Sequence, residues 1–167
     1  EMQRSLVGSE MCIRDRDNMK RKKILFVCTG NTCRSPMAEA ILRSKIKKLK
    51  IKWWDVSSCG IFAEVGGSVS PLSMQALEEA GFTLAKFAPK QLSQSAIDKS
   101  YAVICMTEKQ KQIIEGCGKV FCIKELCGFD VPDPYGQDIT VYRATRDMLA
   151  RACDIIIEKI ILAENGG

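Results

Sequence analysis

The stretch "VCTGNTCRS", residues 27–35, joins a short apolar run to a helical pattern. The apolar run "KILFVC" (23–28) is typical of a fully buried strand. The pattern "SPMAEAILRSKIKKLK" (35–50) predicts a helix, with Pro36 near its first turn. The loop between them therefore places Cys28 at the carboxyl end of the first strand.

Short apolar segments alternate with helical patterns along the rest of the chain. Further strands are predicted at 53–59, 101–106 and 119–123. The remaining chain is predicted to form helices at 70–82, 107–116 and 139–164, a loop with a short helical turn at 86–99, and a long loop at 124–138. The alternation predicts an α/β fold, a single three-layer domain whose four-stranded parallel sheet carries helices on both faces. In such sheets ligands bind at the carboxyl ends of the strands.

The length of 167 residues and the hydrophobic content of 46% fit one domain with a substantial core. Residues 1–18 show no periodicity, and we interpret them as a linker or read artefact outside a domain that covers 19–167. The basic start at 19–28 has fewer apolar residues than the roughly 7–15 of a signal peptide, so export or lipidation is not expected. The nine cysteines, including Cys12 in the excluded segment, are then expected to be reduced thiols of a cytoplasmic protein.

The formal net charge of +5 comes largely from basic residues within 20–23 and 43–52. Basic clusters can attract nucleic acid, but neither interleaved aromatic residues nor a base-reading motif accompanies these two. The second cluster lies on a predicted helix, so we interpret it as a solvated face and expect no nucleic-acid partner. No stretch approaches the roughly 18 continuous apolar residues of a membrane span, so no membrane partner is expected either.

The chain has no histidine, which excludes Cys-His and Ser-His nucleophile pairs. The loop after the first strand offers another way to activate a cysteine. Cys28 and Arg34 flank five residues, and Ser35 follows them. Such a loop can turn backbone N–H groups inward as an anion-binding nest, and the helix amino terminus adds its positive dipole. The same field would stabilise a Cys28 thiolate, while Arg34 could bind two phosphate oxygens.

The residues of this loop suit a tight phosphate cradle. Gly30 and Asn31 tolerate the left-handed backbone that a sharp turn requires. The Ser35 hydroxyl can donate a hydrogen bond to the thiolate. We expect the substrate to be bound by the loop residues Thr29, Gly30, Asn31, Thr32, Cys33 and Ser35.

The segment "DVPDPYG" (130–136), before the last predicted helix, offers two carboxylates. Phosphoryl transfer needs an acid that protonates the leaving atom, and Asp133 could supply it. Tyr135, two residues later, could form a wall of the substrate pocket. Asp130 and Asp133 are also common turn-forming residues, so both interpretations of this segment stay open at this point.

"VCTGNTCRSPMAEA" (27–40) and "DPYG" (133–136) resemble the low-molecular-weight protein tyrosine phosphatase family, in order, spacing and strand-helix context, and the resemblance covers 19–167. It implies a nucleophile, a phosphate clamp and a general acid, which are Cys28, Arg34 and Asp133. It also implies that Ser35 and Asn31 support the loop. The expected substrates are phosphorylated proteins, dephosphorylated through a phosphocysteine intermediate without a metal or other cofactor.

Thr32 bears on the choice of substrate. By the family resemblance, this position corresponds to an isoleucine that packs on the phenyl ring in the tyrosine-directed members. In the bacterial protein-arginine phosphatases it corresponds to threonine. A shorter, polar wall suits a planar, cationic guanidinium better than an aromatic ring. One such side chain commonly shifts discrimination by about 1–3 kcal/mol. We therefore predict that the substrate is phosphoarginine on proteins, with phosphotyrosine as the alternative.

Two residues near the loop raise separate questions. Many members of the family have a histidine that supports the loop asparagine, and Lys86 stands at that position. We therefore expect Ser58 alone to support Asn31. Cys33 has two open interpretations, as a small structural loop residue or as a resolving thiol that traps oxidised Cys28 in a disulfide.

Three other functions would also use cysteines in this sequence. An arsenate reductase of this fold needs a pair of exchanging thiols, but Cys105 is predicted to be buried in a strand. A phosphocarrier module would have neither the clamp arginine nor the aspartate loop. A zinc site from Cys117, Cys122 and Cys127 has looser spacing than tight zinc knuckles. The expectation is thus a monomeric hydrolase without a metal.

Overall fold

The computed structural model describes residues 21–84, 86–114 and 118–166. The segment 1–18, predicted to lie outside the domain, falls outside the described residues together with Cys12. Within the described residues the strands are β1 (Lys22–Cys28), β2 (Trp54–Gly60), β3 (Ala102–Cys105) and β4 (Val120–Cys122). Each of them overlaps a strand predicted from the sequence.

The helices of the described residues alternate with these strands. They are α1 (Arg34–Lys48), α2 (Pro71–Glu79), α3 (Gln94–Asp98), α4 (Glu108–Ile114), α5 (Ile123–Cys127) and α6 (Ile139–Ile156). A π-helical stretch, Ile157–Leu162, and a short α7, Ala163–Gly166, continue α6. In the part of the chain that the structure describes, every helix is too short or too polar to cross a membrane.

The four strands form one parallel sheet in the order β2-β1-β3-β4. In register, Leu25 of β1 lies between Ser57 of β2 and Val103 of β3. The chain leaves β1 toward one edge to form β2 and then crosses to the other side to form β3. This reversal creates a crevice between the carboxyl ends of β1 and β3, the place where ligands bind in open parallel sheets.

Both faces of the sheet are covered, which confirms the predicted three layers. Ile24 and Phe26 are fully buried in a core shared with α1, α2 and α6. Leu25 and Val27 point to the opposite face and belong to a second, smaller core with residues of α3 and α4. Because alternate residues of β1 enter different cores, this strand is apolar without interruption from Ile24 to Cys28.

Two parts of the predicted secondary structure were wrong in detail. The predicted loop at 124–138 begins with α5, whose start is fixed by Glu125, since its carboxylate accepts a 2.8 Å hydrogen bond from the Cys122 backbone N–H. Gly128, with a φ of 88°, then ends this helix. The last predicted helix does not stay α-helical to residue 164, because it widens into a π-helix from Ile157 onward.

Gly60, the last residue of β2, lies directly against the loop that follows β1. A Cβ atom at this position would lie 2.6 Å from the Thr29 carbonyl oxygen and 2.9 Å from the Asn31 backbone nitrogen. Both contacts are with backbone, so the loop itself would have to move. Only glycine therefore allows β2 and the loop to approach this closely.

We expect Gly60→Ala to lower the free energy of unfolding by about 1–3 kcal/mol, because the added methyl group overpacks the loop. Urea denaturation measures this loss. Gly118→Ala is the matched control, since a Cβ there meets none of the described atoms within 4 Å. Equal stability of the two variants would contradict the close approach.

Candidate active site

The loop between β1 and α1 forms the floor of a cavity of about 190 Å³ at the carboxyl edge of the sheet. Its walls are Cys28, Thr29, Gly30, Thr32, Cys33, Arg34, Phe62, Glu64, Asp133 and Tyr135. Eight of the ten residues predicted for the site therefore line one cavity. The other two, Asn31 and Ser35, are fully buried behind the loop.

The Cys28 thiol lies at the bottom of this cavity and is 2% exposed. Its Sγ is 2.8 Å from the Ser35 Oγ and accepts a hydrogen bond of 3.3 Å from the Asn31 backbone N–H. The amino terminus of α1 begins six residues later, at Arg34, and directs its positive dipole toward the same space. The Cys28 sulfur therefore faces two hydrogen-bonding groups and the positive end of a helix dipole, with no imidazole involved.

Asn31 holds the loop in its turned conformation. Its backbone has a φ of 60°, in the left-handed region that asparagine tolerates. Its Nδ2 donates to the Ser35 Oγ at 2.8 Å and to the Ser58 Oγ at 3.0 Å, and its Oδ1 accepts from the Lys90 backbone N–H at 2.8 Å. Ser58 in turn donates to the Glu39 carboxylate at 2.7 Å.

The expectation that Ser58 alone supports Asn31 was wrong. Ser35 and the backbone of Lys90 share that role, so the amide of Asn31 has partners on both its oxygen and its nitrogen. Lys86 is exposed and has a φ of 29°. The backbone N–H of Lys90 carries no signal in the sequence, which is why this partner was not predicted.

Arg34 and Asp133 meet across the cavity. The Arg34 side chain is 6% exposed, and its Nη1 donates a 2.9 Å hydrogen bond to the Val131 carbonyl oxygen. Its Nη2 lies 3.8 Å from the Asp133 Oδ2. The other carboxylate oxygen of Asp133 accepts from the Tyr135 backbone N–H at 3.0 Å. Asp133 thus forms a turn and also faces the cavity, whereas Asp130 is exposed and does not line it.

The side of the loop that carries Thr32 and Cys33 is fixed by residues that the sequence analysis missed. The Thr32 carbonyl oxygen accepts a 2.9 Å hydrogen bond from the Ser70 backbone N–H. The Cys33 Sγ lies 3.6 Å from the Tyr142 hydroxyl, which also accepts a bond from the Ser70 hydroxyl at 3.4 Å. Burial raises the pKa of Tyr142. Cys33 is packed into the wall, and its role as a resolving thiol stays a prediction.

Phe62 and Glu64 were also missed, and both follow the end of β2. The side chains of Phe62 and Tyr135 are 72% and 71% exposed and flank the mouth of the cavity. For Phe62 and Glu64 the available signal was their position just after a strand end, at the edge where ligands bind. The cavity thus combines a floor formed by the loop after β1, two aromatic side chains and two carboxylates.

Other cysteines in the described residues are poor candidates for redox chemistry. Cys105 and Cys122 are buried, and burial raises the pKa of both thiols, that of Cys105 to about 12. Neither offers the accessible thiolate that an exchanging pair needs. Cys117 lies outside the described residues, so the zinc set that includes it stays untested.

The family model described as low molecular weight phosphotyrosine protein phosphatase matches residues 23–164. A protein-arginine-phosphatase of Geobacillus stearothermophilus is 39% identical over 83% of this chain and 95% of its own length. A probable low molecular weight protein-tyrosine-phosphatase of Ralstonia nicotianae is 32% identical over 83% of this chain and 96% of its own length. A cysteine-to-serine mutant of the YwlE arginine phosphatase, with a phosphorylated active-site serine, has a TM-score of 0.77 and 36% identity, over 83% of this chain and 97% of its own.

We expect Ser58→Ala to lower the free energy of unfolding by about 1–3 kcal/mol, because Asn31 and Glu39 each lose a buried hydrogen-bond partner. Denaturant unfolding measures the loss, and calorimetry with inorganic phosphate should show weaker binding by the loosened loop. Ser73→Ala is the matched control, since the buried Ser73 hydroxyl has no partner among the described residues. Losses of equal size in the two variants would contradict the support of Asn31 by Ser58.

Proposed function

This chain belongs to the low molecular weight phosphotyrosine protein phosphatase family, and from that premise we propose that it hydrolyses phosphoarginine on proteins, with Cys28 as the nucleophile. The observation that carries the proposal is that Thr32 lines the same cavity as Cys28, Arg34 and Asp133. The relative named as a protein-arginine-phosphatase supports the choice of substrate.

In the first step the Cys28 thiolate attacks the phosphorus atom in line with the leaving nitrogen. The S–P bond forms as the P–N bond breaks, and the protonated Asp133 gives its proton to the guanidinium nitrogen that leaves. Backbone N–H groups of the loop and the Arg34 guanidinium bind the phosphoryl oxygens, whose charge they are placed to stabilise. The products are a free arginine side chain and a phosphocysteine.

In the second step a water molecule takes the place of the released arginine side chain beside the phosphocysteine. Asp133, now ionised, takes a proton from the water as its oxygen attacks phosphorus, and the S–P bond breaks. The Cys28 sulfur leaves as a thiolate, which the Ser35 hydroxyl and the Asn31 N–H are placed to stabilise. Inorganic phosphate then departs. The phosphorylated active-site serine in the related mutant structure supports a covalent intermediate in this mechanism.

The mouth of the cavity favours a planar cation. Thr32 presents a short polar side chain, and the Glu64 carboxylate can accept hydrogen bonds from guanidinium N–H groups. Phe62 and Tyr135 can cover both faces of the planar group. The same two rings would also stack on a phenyl group, and one relative is named as a probable protein-tyrosine-phosphatase, so phosphotyrosine is the second candidate.

The cellular setting is part of the same proposal. We place the enzyme in the cytoplasm as a monomer that acts on phosphorylated proteins without a metal or another cofactor. The nucleophile must stay reduced, and all seven cysteines within the described residues are free thiols.

The test compares kcat/KM for a phosphoarginine peptide and a phosphotyrosine peptide. The natural sequence should prefer phosphoarginine. Thr32→Ile should move the ratio toward phosphotyrosine by roughly tenfold or more, because an apolar, larger wall packs on the phenyl ring and crowds the guanidinium. Thr83→Ile is the matched control, since Thr83 lies outside the cavity.

An unchanged ratio in Thr32→Ile would contradict the specificity assigned to Thr32. Preference for phosphotyrosine in the natural sequence would select the second candidate. Turnover of either peptide by Cys28→Ser would contradict the assignment of Cys28 as the nucleophile.

A further inference from the structure

A second cavity, of about 290 Å³, opens beside the first. Four residues line both cavities, namely Thr29, Arg34, Phe62 and Asp133. The rest of the second cavity is formed by Ile61 and by residues of the 107–113 segment. The two cavities thus form one continuous surface. We call its second part the flanking groove; it is lined by Ile61, Thr107, Lys109, Gln110 and Ile113, together with the four shared residues.

The flanking groove is mainly apolar, with a positive charge at its rim. Ile113 of α4 is 60% exposed and Phe62 is 72% exposed. Both are large apolar side chains, a kind that proteins usually bury. Lys109 lies on the same wall. Among the residues that the structure describes, Lys109 forms no ion pair, so its charge is available to a ligand.

The floor of the flanking groove is built into the fold. The buried Gln110 donates from Nε2 to the Thr29 Oγ1 at 3.2 Å, and its Oε1 accepts from the backbone N–H groups of Met106 and Thr107 at 3.0 and 3.1 Å. This side chain ties the start of α4 to the end of β1 and to the phosphate-binding loop. The groove therefore has a fixed position relative to Cys28.

The position of Asp133 indicates where the substrate chain leaves the active site. In the proposed function its carboxylate contacts the leaving atom of the substrate, so the chain that carries the phosphorylated side chain has to exit beside Asp133. The flanking groove begins at that side chain. A substrate bound for reaction would thus bring its neighbouring residues over Ile61, Phe62 and Ile113.

We propose that the flanking groove binds the residues next to the phosphorylated one in a protein substrate, and that it selects an apolar side chain accompanied by an acidic one. The apolar side chain would pack against Ile113 and Phe62, and the carboxylate would face Lys109. The inference rests on the proposed function, since it assumes that the substrate is a protein rather than a small phosphate ester.

The experiment uses two phosphoarginine peptides, one with leucine on both sides of the phosphoarginine and one with serine there, together with free phosphoarginine. Ile113→Gln should raise KM for the leucine peptide by roughly five- to tenfold, the loss expected for one apolar contact, with kcat unchanged. The serine peptide and free phosphoarginine should be unaffected. Leu49→Gln is the matched control, because Leu49 is 58% exposed at the far end of α1.

The charge is tested separately with Lys109→Glu. The natural sequence should prefer a peptide with an added aspartate over one with an added lysine by roughly two- to fivefold, and this variant should reverse that order. Both effects should weaken as salt is added.

The outcomes separate the two proposals. Normal turnover of free phosphoarginine with an unchanged KM for the leucine peptide in Ile113→Gln would overturn the groove and leave the proposed function intact. No turnover of any phosphoarginine substrate would overturn phosphoarginine specificity, and the same peptide pair with phosphotyrosine would then decide whether the groove binds flanking residues.

Discussion

The hydrogen bonds of one buried asparagine side chain hold the candidate site together. Asn31 takes a left-handed backbone conformation, which turns the loop after β1 back over the Cys28 sulfur. Its amide joins Ser35 at the start of α1, Ser58 in β2 and the backbone of Lys90. An unpaired amide in such a buried place would cost free energy, so these partners fix one loop conformation. The absence of a side chain at Gly60 permits this loop conformation, because any larger residue at that position of β2 would displace the loop.

This arrangement explains how the chain can use a cysteine nucleophile without any histidine. The reversal of strand order puts the end of β1 in a crevice, and α1 begins there with its amino terminus toward the crevice. In the proposed function, the Asn31 backbone N–H, the helix dipole and the Ser35 hydroxyl together take the place of the positive charge of an imidazolium. In the proposed function, one structural feature would therefore both bind the phosphoryl group and activate the sulfur that attacks it.

The sequence predicts the parts of the site that are continuous along the chain. The residues from Cys28 to Ser35 were found because a buried strand, a glycine-containing loop and a helix start follow one another, and Asp133 because a Pro-containing turn leaves a carboxylate in a loop. Tyr142 reaches the site only through tertiary packing and was missed, since nothing local marks it. Phe62 and Glu64 were missed although they follow a predicted strand, because that position alone does not show which side chains face the cavity. The helix α5 was missed for a different reason, because its first turn depends on a single local contact, the Glu125 carboxylate on the Cys122 N–H; this carboxylate also pairs with Lys111 at 2.8 Å.

The central claim is that the reaction passes through a phosphoryl group on Cys28. Rapid quenching of the natural sequence with a phosphoarginine peptide, followed by peptide mapping within the first turnover, tests it most directly. The account predicts a phosphoryl group on Cys28, formed at least as fast as phosphate is released and approaching one group per chain. Release of phosphate at the full rate with Cys28 unmodified, or with the phosphoryl group on another residue, would contradict it.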